Sequence, residues 1–95
     1  MSNYHEPTQL LSSASHDFSR ALNSLKEEIE ALDWYQQRAD ITDNKQLKKL
    51  LLHNQNEEME HACMILEWLR RNMEGWDEKL KTYLFTETDI SKINE

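Results

Sequence analysis

Glu58 and His61 stand three residues apart in the stretch Glu57-Glu58-Met59-Glu60-His61. On an α-helix that spacing puts a carboxylate and an imidazole on one face, about a turn apart. Two such groups can hold a metal ion between them. A third carboxylate, Glu28, occupies a similar place in an earlier stretch. Carboxylate oxygen with imidazole nitrogen suits iron or manganese, and the absence of thiolate from the set disfavours structural zinc.

The elements that must position these groups are helical. Gly and Pro occur once each in 95 residues, so hairpin turns have almost no raw material. Glu, Leu, Lys, Gln and Ala abound, and all favour helix. Residues 1–6 read as a disordered start, and Pro7 suits a first helical turn. A first helix is predicted over 7–40, ~50 Å long at 1.5 Å per residue. Its seam runs Leu11, Ala14, Phe18, Ala21, Leu25, Glu28, Leu32, Tyr35, widened by Leu22 and Ile29. Thr42, Asp43 and Asn44 are N-cap types that fold a second helix back on the first. That second helix is predicted over 45–73. Its seam reads Leu47, Leu51, Asn54, Glu58, His61, Ile65, Trp68, with Leu50, Ala62 and Leu69 alongside. Gly75 ends or bends it. A short helix follows over 75–85, and Thr88 or Asp89 caps a last turn carrying Ile90 and Ile93. The whole is one all-α domain, 1–95, built as an antiparallel two-helix hairpin plus a short C-terminal helix.

With the turn near residue 42 as pivot, Glu28 lies ~14 residues before it and Glu58 ~16 after, nearly one height at 1.5 Å per residue. Glu28, Glu58 and His61 should therefore meet. Carboxylates buried together without a cation are costly through desolvation and mutual repulsion; a divalent metal removes that cost. Diiron carboxylate bundles take a Glu from each of two helices and a Glu-x-x-His from each of the other two. This chain supplies two long helices, Glu28, Glu58 and His61, which is half of that set. The inference is a twofold homodimer closing a four-helix bundle around the metals. Two readings compete with it. Polar seam residues can set register without any metal, and the same metals could serve peroxide removal.

Other residues read more plainly. The formal charge of −7 excludes nucleic acid and anionic membrane surfaces as natural partners, and no apolar run is long enough to span a membrane. One Cys makes no internal disulfide, in keeping with a reducing, cytoplasmic interior, and Cys63 reads as a small buried thiol. His16 and His53 lack partners at metal-ligand spacing. Glu27 and Glu30 read as a solvated acidic face, Tyr35 as packing on the seam, and Trp34, Trp68 and Trp76 as core or interface anchors.

Glu27-Glu28-Ile29-Glu30-Ala31-Leu32-Asp33-Trp34-Tyr35-Gln36-Gln37-Arg38 resembles a segment of the encapsulated ferritins. So do His53-Asn54, Glu57-Glu58-Met59-Glu60-His61, Glu67-Trp68-Leu69-Arg70-Arg71-Asn72 and Thr82-Tyr83-Leu84-Phe85-Thr86-Glu87. The resemblance implies a two-helix ferritin-like subunit whose ferroxidase centre, holding two iron ions per dimer, forms between two subunits. It implies that Glu28, Glu58 and His61 bind iron together with the partner's copies. By the same likeness Glu27 and Glu30 form an acidic access site, taking calcium or another divalent cation, and Trp34 and Tyr35 lie beside the centre. It further implies a ring-shaped decamer working inside an encapsulin shell, storing iron as Fe(III). Family cargo usually carries an apolar shell-targeting peptide after the helical region; the sequence to Glu95 contains no such segment.

Overall fold

A computed structural model describes residues 4–93. It contains helix α1 (Ser13–Ile41), helix α2 (Lys45–Asn72) and helix α3 (Trp76–Tyr83), flanked by single 3-10 turns at Thr8–Leu10 and Ile90–Lys92. No strand occurs among the described residues. The two long helices pack antiparallel, and α3 rests against the end of α2.

The first helix begins later than Pro7. The Pro7 carbonyl closes the 3-10 turn by accepting from the Leu10 N–H at 3.0 Å, and Leu11 is extended. Ser12 then caps α1, its Oγ accepting from the Ser15 N–H at 3.0 Å. Proline tolerates a helix start; a serine that satisfies an orphan N–H specifies one. The expected disorder of residues 1–3 lies outside the described residues, but Tyr4 is placed. Its hydroxyl meets His16 Nδ1 at 3.1 Å, and the two rings meet edge to face at 5.2 Å. His16 Nε2 lies 3.0 Å from the Thr8 carbonyl. A carbonyl only accepts, so Nε2 donates. His16 thus ties the N-terminal segment to α1.

At the hairpin turn Asn44 caps α2, its side-chain oxygen accepting from the Leu47 N–H at 2.9 Å. Asn44→Ala should cost about 1 kcal/mol of stability, measured by denaturant unfolding; an unchanged midpoint would mean the turn is held by other contacts. Beyond α2, Gly75 takes φ +103° with nothing within 4 Å of where a Cβ would stand. Its value is conformational freedom, not close approach. Asp89 caps the last 3-10 turn, its carboxylate accepting from the Ser91 N–H and hydroxyl.

Helix α3 is fastened to α2 by a charged chain. Glu67 takes both Arg70 Nε and Nη2 at 2.7 Å, and Arg71 Nε at 2.6 Å. Arg70 Nη1 reaches Asp77 on α3 at 2.7 Å, which Lys81 also meets at 2.9 Å. Arg70, with Arg71, holds the Glu67 carboxyl down at about 2; Lys81, then Arg70, pulls Asp77 below its ordinary value. Depressed carboxyl pKa values favour the folded state above the unfolded value, roughly 4.5, and that contribution is lost as pH falls toward about 2. The melting-temperature drop between pH 6 and pH 3 should therefore shrink in Arg70→Met. An equal drop in both proteins would mean that acid lability arises elsewhere.

The hairpin does not bury itself. Among the described residues only Ala39 and Leu69 form a buried apolar core. The chain exposes 7929 Å², whereas a compact monomer of 11.4 kDa exposes roughly 5,800 Å². Its radius of gyration is 17.2 Å against ~12 Å for a globular chain of this length. On α2, Leu47, Leu50, His61, Met64 and Trp68 lie uncovered along one face, and Leu22 and Ile29 are uncovered on α1. One placement differs from expectation. Cys63 is exposed, because α1 covers one stripe of α2 and Cys63 lies off it. Trp34 is half exposed, as an interface anchor would be, and Trp68, partly exposed, meets the Phe18 ring of α1 edge to face at 6.2 Å. No helix among the described residues is long and apolar enough to cross a membrane.

Candidate metal centre

Glu28 projects from the middle of α1 toward α2. Glu58 and His61 project from consecutive turns of α2 toward it. The helical spacing within α2 and the antiparallel register of the hairpin together bring one ligand-capable atom from each to within 4.8 Å of the others. His61 Nδ1 lies 3.4 Å from Glu28 Oε2 and 3.7 Å from Glu58 Oε2. Imidazole nitrogen thus faces two carboxylate oxygens.

Burial is graded across the cluster. The Glu28 and Glu58 side chains are mostly covered, at 23% and 22% exposure, whereas His61 is half open. Glu28 Oε2 is itself buried and accepts no hydrogen bond. Its 3.4 Å approach to His61 is within ion-pairing range but lacks the alignment of a hydrogen bond. A buried carboxylate oxygen with no donor is costly. A cation between the three groups would satisfy it. The donor set, two hard oxygens and one nitrogen, fits iron or manganese. Three donors leave coordination positions open, and the open side is the one where His61 is exposed within the uncovered apolar stripe.

The other sequence-selected residues lie around this point rather than in it. Glu27 and Glu30 are exposed on α1, flanking Glu28. Trp34 is half exposed, beside Gln37 and Arg38. Tyr35 is half-buried, with the Arg38 guanidinium 5.7 Å above its ring. Trp34 and Tyr35 stand six and seven residues beyond Glu28, ~10 Å along the helix axis. His53 Nε2 lies 3.0 Å from Glu57 Oε1 one turn away, an ion pair on an exposed face. Gln55 is buried between the helices, bonded to Gln36, a placement that no pattern of spacing in the sequence marks.

The chain matches the EncFtn-like family model over residues 3–87. It is 61% identical over 92 residues to a "Ferritin-like protein" of Thermotoga maritima, covering 97% of this chain and 81% of that one. It is 51% identical over 89 residues to an "Encapsulated ferritin-like protein" of Rhodospirillum rubrum, covering 94% of this chain and 64% of the relative. A crystal structure of a Nitrosomonas europaea protein superposes with a TM-score of 0.90 at 50% identity, covering 95% of this chain and 99% of that one. With its two antiparallel helices and short third helix, the chain belongs to the EncFtn-like family of encapsulated ferritin-like proteins.

Proposed function

We propose that this chain is one half of a ferroxidase. Two copies would meet on the apolar stripes that flank the cluster, forming a four-helix bundle. Glu28, Glu58 and His61 of each copy would then hold two substrate Fe(II) ions between them. Each ferrous ion would give up one electron, and one dioxygen would take the pair with two protons and leave as hydrogen peroxide. Two ions held close can act jointly on one oxidant. The carboxylates supply negative charge that favours Fe(III) over Fe(II), and His61 supplies a neutral nitrogen that limits that charge.

The observation that carries this reading is the composition of the cluster. Two carboxylates and one imidazole from two helices make half of a diiron carboxylate set, on a face the chain leaves uncovered. The excess exposed surface, about 2,000 Å² over a compact monomer, is of the size that an obligate interface removes. Family membership supports an iron-related role, and the encapsulated relative supports work within an encapsulin compartment, where Fe(III) would be stored. In the same reading Glu27 and Glu30 draw cations toward the centre, Trp34 and Tyr35 border it once the partner is in place, and dimers build a decameric ring.

The test is aerobic Fe(II) addition followed by near-ultraviolet absorbance. The protein should oxidise Fe(II) well above the protein-free rate, and faster with dioxygen than with peroxide. A rate equal to buffer would reduce the chain to a dimerisation module. Faster turnover with peroxide would make it a peroxide-reducing protein.

A further inference from the structure

The proposed centre works only if Glu28 stands opposite Glu58 and His61 in the right register. The three-residue turn between Ile41 and Lys45 sets this coarsely, and apolar contacts between α1 and α2, being non-directional, refine it little. Among the described residues, one side-chain hydrogen bond joins the two long helices: Gln55 Nε2 donates to Gln36 Oε1 at 2.6 Å. Gln55 is also the sole buried polar residue among them, at 7% exposure.

The direction of these side chains explains how they meet. Helical side chains lean toward their own N-terminus. Gln36 lies nearer the hairpin turn and leans away from it. Gln55 lies farther from the turn and leans toward it. The two amides therefore converge from opposite sides. A slip of α2 along α1, or a rotation of either helix, would part them and leave a buried amide unpaired. Gln55 lies three residues before Glu58, so whatever holds Gln55 also sets the height and facing of Glu58 and His61.

We propose that Gln55, held by Gln36, is a positioning residue for the metal cluster, fixing the α1–α2 register at which Glu28, Glu58 and His61 converge. This rests on the ferroxidase reading. Buried polar pairs serve register better than stability, so the two roles separate experimentally. Gln55→Leu keeps an apolar side chain of similar length and removes the amide. Its metal-free melting temperature should be unchanged or raised. The Fe(II) concentration for half-maximal association, read by anaerobic sedimentation, should rise about tenfold, the scale of loss when a group orienting a ligand is removed. Gln36→Leu, at an exposed position, should do the same. Gln36→Glu leaves Gln55 an acceptor and should restore the parent's Fe(II) dependence.

If Gln55→Leu melts lower but responds to Fe(II) as the parent does, Gln55 is merely structural and the proposal fails. If Gln36→Glu is as impaired as Gln36→Leu, the hydrogen bond is not the agent and it also fails. A parent that does not respond to Fe(II) would overturn the ferroxidase reading instead, and this proposal with it.

Discussion

Replacing His61 with alanine should reduce Fe(II) oxidation by at least roughly a hundredfold, since even the loss of a hydrogen-bond partner to a metal ligand costs about 10- to 100-fold. Glu58→Ala should do the same. Both variants should keep the parent's helicity. His61 is half exposed, so its removal opens no core cavity, and losing Glu58 removes one of two neighbouring carboxylates while Glu28 keeps His61 at 3.4 Å. Glu60→Ala is the control. Glu60 is exposed and meets only Asn56, at 3.4 Å, so this variant should oxidise iron at the parent's rate. Stopped-flow absorbance measures all three. Oxidation by Glu58→Ala and His61→Ala at the parent's rate would place the chemistry elsewhere.

The second large effect is on assembly. A centre completed by two chains binds its metal only in the dimer, so metal must favour association by linkage. At a free Fe(II) concentration a hundred times the dissociation constant, each filled site contributes about 2.7 kcal/mol, enough to move the dimerisation constant roughly a hundredfold. Anaerobic Fe(II) should therefore raise the mass of the parent in solution at a protein concentration where the metal-free form is largely monomeric. Glu28→Ala removes one ligand from each chain while leaving the apolar stripes intact, and should abolish that response. Light scattering after size exclusion reads the result. A mass that does not change with iron, or that changes equally in Glu28→Ala, would uncouple metal from assembly.

How much of this was legible in the sequence depended on which forces were local. The hairpin was readable because the seam repeats at three and four residues and Asn44 marks the turn. The meeting of Glu28 with Glu58 and His61 followed from counting residues outward from that turn, which helical rise makes reliable over four turns. Helix α1 starts at Ser13 and not at Pro7, since Pro7 merely permits a helix where Ser12 specifies one. Cys63 was misplaced for a different reason. Its neighbours are apolar, but a two-helix hairpin covers only one stripe of each helix, and what covers the others is not encoded in the spacing. Gln55 and Gln36 look like any surface glutamines. Their pairing depends on the lean of side chains across an antiparallel interface, which no pattern along one helix reveals. The Glu67–Arg70–Asp77 chain depends on the bend after α2, which brings Asp77 of α3 to Arg70, and the spacing of charges along α2 does not reveal that bend.

The cluster of Glu28, Glu58 and His61 serves the proposed function only as half of a centre. A crystal structure of the iron-loaded protein, with anomalous scattering recorded at the iron edge, tests this most directly. Two iron peaks between two chains, each bounded by Glu58 and His61 copies related by a twofold axis, is the predicted result. A single iron held within one chain, or no iron peak at these residues, would contradict it.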